Sequence, residues 1–320
     1  MTLSFVIRSC ISIKKATLKD IAKAAQVSVA TVSYVLNNVA NQTIPDETKC
    51  RVLDAAKQLN YVPNLAARSL VKQKSGLIGI LINRADNEGF WKQLRYSQFI
   101  NRLERLLSDR GYHVVLFSLD ASSPNLDIIS ERKLDGVFVV DVKEENFHLI
   151  SSHFSAGVPL IVVDSIIDDP LFYKVNYDYI DAFANVITTL QHNQSYMIID
   201  SFNNADLVNF ICTHSGIGLG QIHVMEDEQT LKAFLEQQKN KKGIILNEFV
   251  AISAAKYVNP TSLTVICTAG CPEIVPPSAA QISFGDHKPE EAFQLMMHLL
   301  KDPTSGPVHK YILVKAISNE

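Results

Sequence analysis

The stretch "TLKDIAKAAQVSVATVSYVLNN", Thr17 to Asn38, decides how the rest of the chain is read. Thr17 with Asp20 three residues later has the form of a capping box, which starts a helix at about Leu18. Leu18, Ile21, Ala22 and Ala25 then fall on one face at helical spacing. Gln26-Val27-Ser28 is a three-residue break. Ser28 can cap a second helix, in which Val29, Val32, Val35 and Leu36 recur at steps of three and four before Asn37-Asn38.

Two helices this short bury too little apolar area to hold alone, so a third must cover them. It is predicted from Pro45 to about Asn60, with Pro45, Asp46 and Glu47 in its first turn and Val52, Leu53, Ala56 and Leu59 turned inward. Two uses suit such a unit. It is a plain helical hairpin within a bundle, or a helix-turn-helix that lays its second helix in the DNA major groove and meets base edges with that helix's N-terminal residues.

Charge separates these readings. Residues 1 to 75 hold 11 Lys/Arg against 4 Asp/Glu, a charge of +7, whereas the remainder holds 19 against 29, a charge of -10. A basic head on an acidic body is the distribution of a polyanion-binding module joined to a domain that does not bind polyanions. After Pro63, "NLAARSLVKQK" predicts a short helix from Leu65 to Val71 capped by Asn64; it is basic, small-residued and poor in bulky core residues.

The rest of the chain bounds the function classes. With 320 residues, 47% of them hydrophobic, the chain is long enough for two or three folded domains. The five cysteines, Cys10, Cys50, Cys212, Cys267 and Cys271, form no C-x-x-C pair, which speaks against a zinc site or a disulfide framework and fits a reducing cytoplasm. No apolar run approaches the length of a membrane span. Met1 to Lys15 is read as a loose extension, because Arg8 interrupts its apolar character and no cleavage site follows. "GIGLG" at Gly216 to Gly220 follows a helical pattern and opens no helix, so it is not a dinucleotide fingerprint. No nucleophile elbow, P-loop, paired-carboxylate or metal spacing appears; we expect no enzyme, no cofactor and no metal.

From Gly76 onward short apolar runs alternate with helical patterns: "LIGILI", "YHVVLFSL", "DGVFVV", "PLIVVD", "YMIID", "GIILN", "SLTVIC" and "QISFG". The alternation predicts parallel sheets covered by helices on both faces, and this many strands sort into two sheets.

The segments Thr17 to Asn38 and "ETKCRVLDAAKQLNYVPNLAARSL" resemble the lactose-repressor (LacI/GalR) family of bacterial transcription regulators, densely over Thr17 to Ile82 and more weakly beyond. The resemblance implies an all-α helix-turn-helix head and an α/β core like periplasmic binding proteins, with two Rossmann-like subdomains around a cleft. The domains expected are an extension over 1–16, the head over 17–62, a hinge helix and linker over 63–75, and the core over 76–320. Within the core, the first subdomain is expected at about 76–163 and 284–305 and the second at about 164–283 and 306–320.

The same resemblance implies a cytoplasmic homodimer on a double-stranded, pseudo-palindromic operator. Its base-reading positions fall at Val29, Ala30 and Tyr34. Many relatives have arginine at the Tyr34 position, and tyrosine lacks arginine's bidentate grip on guanine. Ser28, Thr31, Ser33 and Asn38 would hold phosphates, with Arg68 and Lys72 adding charge beside the hinge helix that Asn64 caps. Leu70 of "ARSL" would be a minor-groove wedge, the other reading being a core leucine.

Ligands of open parallel sheets sit beyond the strands' carboxyl ends. There the resemblance marks Phe90 and Trp91 in "NRADNEGFW" and Asp164 at the end of "PLIVVD", with helix-start packing and ordinary loop capping as the respective alternatives. Three positions depart from the family. Asp206 in "DLVNF" replaces a sugar-gripping arginine, Glu248 in "NEFVAISAA" replaces an aspartate, and "TAG" replaces "G-[FY]-D". The effector is therefore left open between a carbohydrate-like molecule and a protein partner. A sugar- or nucleoside-sensing protein with degenerate DNA recognition is the alternative function.

Overall fold

The computed structural model describes residues 16–37, 42–61, 74–84, 89–120, 126, 133–154, 157–187 and 194–317. The chain divides into two compact units, Met1–Gln73 and Lys74–Glu320.

In the first unit, α1 (Leu18–Ala25), α2 (Val29–Leu36) and α3 (Asp46–Gln58) form the expected trio. The capping box closes as predicted: the Thr17 N–H donates to Asp20 Oδ2 at 2.8 Å, and the Asp20 N–H donates to Thr17 Oγ1. Gln26 ends α1 with φ of +54°, in the left-handed region. Ser28 Oγ accepts the Thr31 N–H at 3.0 Å and so starts α2. Ile21, Ala22, Ala25, Val32, Val52 and Ala55 are the buried core, with Leu18, Val27, Val35, Leu36, Ala56 and Tyr61 packed around it.

Two expectations fail in α3. Leu53 and Leu59 point outward, 52% and 37% exposed, because Val52, Ala55 and Ala56 already fill the face that meets α1 and α2. Leu53 follows Val52 by one residue and therefore lies about 100° around the helix from it.

The second unit has two wholly parallel sheets. The first has the strand order β11-β5-β4-β3-β1-β2, from β1 (Leu77–Arg84), β2 (His113–Asp120), β3 (Gly136–Val140), β4 (Leu160–Val163), β5 (Tyr173–Tyr177) and β11 (Tyr311–Val314). The second has the order β10-β9-β8-β6-β7, from β6 (Ser195–Ile199), β7 (Ile222–Val224), β8 (Lys242–Leu246), β9 (Leu263–Cys267) and β10 (Ala280–Ser283). Helices α4 (Phe90–Leu94), α5 (Ser97–Ser108), α6 (Glu144–Ser152), α7 (Tyr179–Ile187), α8 (Ala205–His214), α9 (Glu228–Glu236), α10 (Glu248–Ala254) and α11 (His287–Lys301) connect the strands. The two-sheet α/β core is the architecture expected from the alternation of runs.

The expected subdomain boundaries need correction. Residues near 164–177 and 306–314 were assigned to the second subdomain, yet β5 pairs with β4 (Ile161 opposite Tyr173) and β11 pairs with β5 (Ile312 opposite Val175) in the first sheet. The first crossing to the second sheet lies after β5. The chain returns between β10 and α11, which packs on α5 and β5.

Most strand interiors are continuous apolar runs, as sheets covered on both faces require. β3, β4 and β6 are buried at every position. One buried cluster runs through both sheets, from Ile78, Ile80 and Phe138 to Met197, Ile244 and Ile266 by way of Tyr177, Tyr179 and Phe284.

Candidate nucleic-acid interface and interdomain cleft

In the head, Ser28, Val29 and Ala30 are exposed at the N-terminal end of α2, and Tyr34 is exposed about one turn further on. Thr31 and Ser33 are half-buried beside them. Ser28 Oγ also lies 2.9 Å from Thr31 Oγ1, and Asn37 Nδ2 donates to the Ser33 carbonyl at 2.8 Å, so both ends of the helix are tied by its own polar side chains. No acidic or basic residue lies in α2. What α2 offers a ligand is a narrow ridge of methyl groups, hydroxyls and one phenol. Lys19, Lys23, Arg51 and Lys57 are exposed on α1 and α3. A ridge of this width fits the major groove, with cations to meet phosphates. The other predicted DNA-contacting residues, Asn38, Asn64, Arg68, Leu70 and Lys72, lie outside the described residues.

In the core, three strands end on the same pattern, two apolar residues and an aspartate: "VVD" at Asp141, "VVD" at Asp164 and "IID" at Asp200. All three aspartates are buried. Asp141 and Asp164 belong to the first subdomain and Asp200 to the second, so the carboxyl ends of the two sheets bring three carboxylates into one cleft.

Arg95, between α4 and α5, enters this cluster with 2% of its surface exposed. Its Nη2 lies 3.3 Å from Asp141 Oδ2 and donates to the Ser201 carbonyl at 3.2 Å, while Nη1 lies 3.3 Å from Asp200 Oδ2. The guanidinium carbon sits 4.4 Å from the Phe202 ring centroid and 4.9 Å from that of Tyr96. Lys288, from α11, reaches Asp164 Oδ2 at 2.7 Å and is likewise buried.

Burial opposes charge throughout this cluster. It pushes the Asp141 carboxyl up to about 7 against the pull of Arg95 and Lys92. It lowers the Lys288 ammonium against the pull of Asp164. For Arg95 the burial penalty is outweighed by Asp200 and the other neighbouring groups, so the guanidinium stays charged.

The loop after β6 adds a second link between subdomains. The Asn203 N–H donates to Asp141 Oδ1 at 2.8 Å, and Asn203 Nδ2 donates to the Asn83 carbonyl at 3.0 Å. Asn204 Nδ2 donates to the carbonyls of Val142 and Ile166 at 3.0 Å each. Asn204 Oδ1 accepts from Ile166 N–H and caps α8 through Leu207 N–H.

The five predicted effector residues do not form one site. Trp91 is 6% exposed and packs among Tyr196, Ile198, Met225, Val250 and Val275. Phe90 is exposed and meets the Trp91 ring edge-on at 5.4 Å. Asp164 is engaged by Lys288. Glu248 is fully buried and accepts the Ala269 and Cys271 N–H groups at 2.8 Å each, so its carboxylate anchors the loop after β9. Asp206 is exposed in the first turn of α8, facing an open groove with Glu144, Glu145 and His148. The sequence reading missed Arg95, Lys288, Asp141, Asp200 and Asn203. The repeated strand-end aspartate was the signal that could have found two of these positions, Asp141 and Asp200.

Among the described residues, no cluster of three or more His, Cys, Asp or Glu side chains could hold a metal ion, and no helix is long and apolar enough to cross a membrane.

Residues 17–64 match the family model of bacterial regulatory proteins, lacI family. The chain is 31% identical over 166 residues to the HTH-type transcriptional regulator MalR of Streptococcus pneumoniae, covering 47% of this chain and 50% of that protein. It is 34% identical over 155 residues to the HTH-type transcriptional repressor PurR of Mannheimia succiniciproducens, covering 47% and 43%. It thus spans about half the length of the curated relatives it matches. The crystal structure of the lac repressor dimer bound to operator and the anti-inducer ONPF superposes with a TM-score of 0.71 at 18% identity, over 95% of this chain and 97% of that one.

Fold and head together define a LacI-type helix-turn-helix joined to a core of two parallel α/β subdomains like those of periplasmic binding proteins. Over residues 17–64 the chain carries the lacI-family head of bacterial regulatory proteins, and its core shares the lac repressor's fold.

Proposed function

We propose that the protein is a sequence-specific DNA-binding transcriptional regulator, a cytoplasmic repressor that binds a pseudo-palindromic operator as a homodimer. The observation that carries this reading is the exposed N-terminal end of α2, where Ser28, Val29, Ala30 and Tyr34 project from a capped three-helix head. In this reading Val29, Ala30 and Tyr34 meet base edges, while Ser28, Thr31 and Ser33 with the head's cations set the register on phosphates. Asn38, Asn64, Arg68 and Lys72 add backbone contacts, and Leu70 is the minor-groove wedge of the hinge helix.

The core is the controlling element. An effector changes operator affinity only by binding one core arrangement better than the other, and the candidates remain a carbohydrate-like molecule and a protein partner. Phe90 and Asp206, both exposed beside the cleft, are the predicted effector residues still available to either.

Selection of genomic fragments with the purified protein tests the reading. It predicts two half-sites separated by about one helical turn, and weaker binding after Leu70→Ala. Affinity should fall steeply with salt, because lysine and arginine release counterions from phosphates. A flat salt dependence with no selected site would end it.

A further inference from the structure

We propose that Arg95 is a built-in ligand of the interdomain cleft, holding the two subdomains closed in the position a small-molecule effector would take. The proposal rests on the reading of the core as the controlling element and names how this chain has modified it.

The geometry is that of a bound cation. The guanidinium comes from the first subdomain and contacts three oxygens: the Asp141 carboxylate of its own subdomain, and the Asp200 carboxylate and Ser201 carbonyl of the other. Phe202, also from the second subdomain, lies against it. Nη2 makes the hydrogen bonds, Nη1 meets Asp200 as an ion pair, and the guanidinium lies over aromatic rings, a combination that favours arginine over lysine. Asp164, a further strand-end carboxylate, is taken by Lys288. A hydroxylated ligand would need these same acceptors, and both cations would have to leave before it could use them.

Space agrees with charge. Between Arg95, Phe99, Tyr177, Thr268 and Lys288 there remains a cavity of about 20 Å³, and beside Asn83 and Asp141 one of about 10 Å³. Either has room for about one water molecule, far below the several hundred Å³ of small-molecule sites.

Closure has a linked marker. Trp91 lies four residues before Arg95 on the same segment and is buried in the second subdomain's core, and it is the chain's one tryptophan. Opening that separates Arg95 from Asp200 would draw Trp91 from its apolar surroundings. The segment is therefore a tether with a polar end and an apolar end. Opening must break a buried ion pair and expose an indole together.

The experiment uses the full chain and its own fluorescence. In the wild type, Trp91 emission and acrylamide quenching should not change with glucose, cellobiose, ribose or hypoxanthine at about 10 mM, well above ordinary effector affinities. Arg95→Gly should shift the emission to the red and raise quenching. Ethylguanidinium at about 10 mM, which supplies the guanidinium and two of the three carbons removed, should reverse most of that change, whereas ethylammonium should not, lacking the planar fork.

Should Arg95→Gly not fold, the isosteric Asp200→Asn keeps the test open, with increased quenching that ethylguanidinium does not reverse. A wild-type response to one of the four compounds, or Trp91 equally shielded in both variants, overturns the proposal. Operator binding by the wild type, measured on the same samples, separates this outcome from failure of the regulator reading itself.

Discussion

Lys288 Nζ lies 2.7 Å from Asp164 Oδ2 and 3.8 Å from the Tyr177 ring centroid, a buried cation held between the carboxyl end of β4 and an aromatic face of β5. Its helix, α11, begins just after the chain returns from the second sheet, so the pair fixes the angle of that return. Removing one partner leaves an uncompensated buried charge. Lys288→Met should therefore cost about 3–5 kcal/mol, and the double change Lys288→Met with Asp164→Leu should recover much of it, because buried ion pairs are often replaceable by apolar groups of similar volume. Chemical denaturation of the four variants measures this coupling. Additive losses would show that the pair does not act as a unit.

Three carboxylates, Asp141, Asp164 and Asp200, share two buried cations, Arg95 and Lys288, and burial raises the proton affinity of Asp141. Its folded-state value is raised from 3.8 to about 7. A raised carboxyl binds its proton more tightly in the native state, so its stabilising contribution is complete below about pH 4 and is lost as the pH rises toward about 7. Melting temperatures measured between these limits should fall less steeply with rising pH in Asp141→Asn than in the wild type. Identical slopes would place the proton elsewhere.

The head's core divides α3 sharply. Val52→Ala removes buried methyl groups from the contact with α1 and α2 and should cost about 2 kcal/mol. Leu53→Gln, one residue away but exposed, should change stability by less than about 0.5 kcal/mol. Thr17→Ala removes a side chain that caps α1 and should cost about 1 kcal/mol. Thermal unfolding of the three variants checks the order.

Much of the head was legible because its signals are local. The Thr17 and Ser28 caps, the Gln26 break and the spacing of Ile21, Ala22 and Ala25 each lie within one helical turn of what they determine. Leu53 and Leu59 were misplaced because helical spacing gives a stripe of apolar residues without saying how wide the receiving face is.

In the core, most strands made of unbroken apolar runs were legible, whereas β5, "YKVNY", and the short β11, "YILV", were not. Lys174 and Asn176 interrupt the run of β5, yet both are buried. Lys174 donates to the Asp169 carbonyl, and Asn176 both donates to and accepts from the Ser165 backbone. These partners are distant enough that no local pattern shows them. Omitting β5 and β11 moved the first subdomain's boundary to 163. Arg95 escaped for the same reason, since "WKQLRYSQF" reads as a helix with an outward cation until Asp141 and Asp200 are brought to it by two different sheets.

The most direct test of the regulator reading is an anisotropy titration of the best selected DNA fragment with the wild type, Tyr34→Ala and Ala30→Glu, alongside an unrelated duplex. Both changes should weaken binding to the selected fragment about tenfold or more, with Tyr34→Ala leaving the unrelated duplex unaffected, because a lost base contact is worth about 1–3 kcal/mol of discrimination. Equal affinities of all three proteins for the selected fragment would contradict a base-reading role for α2.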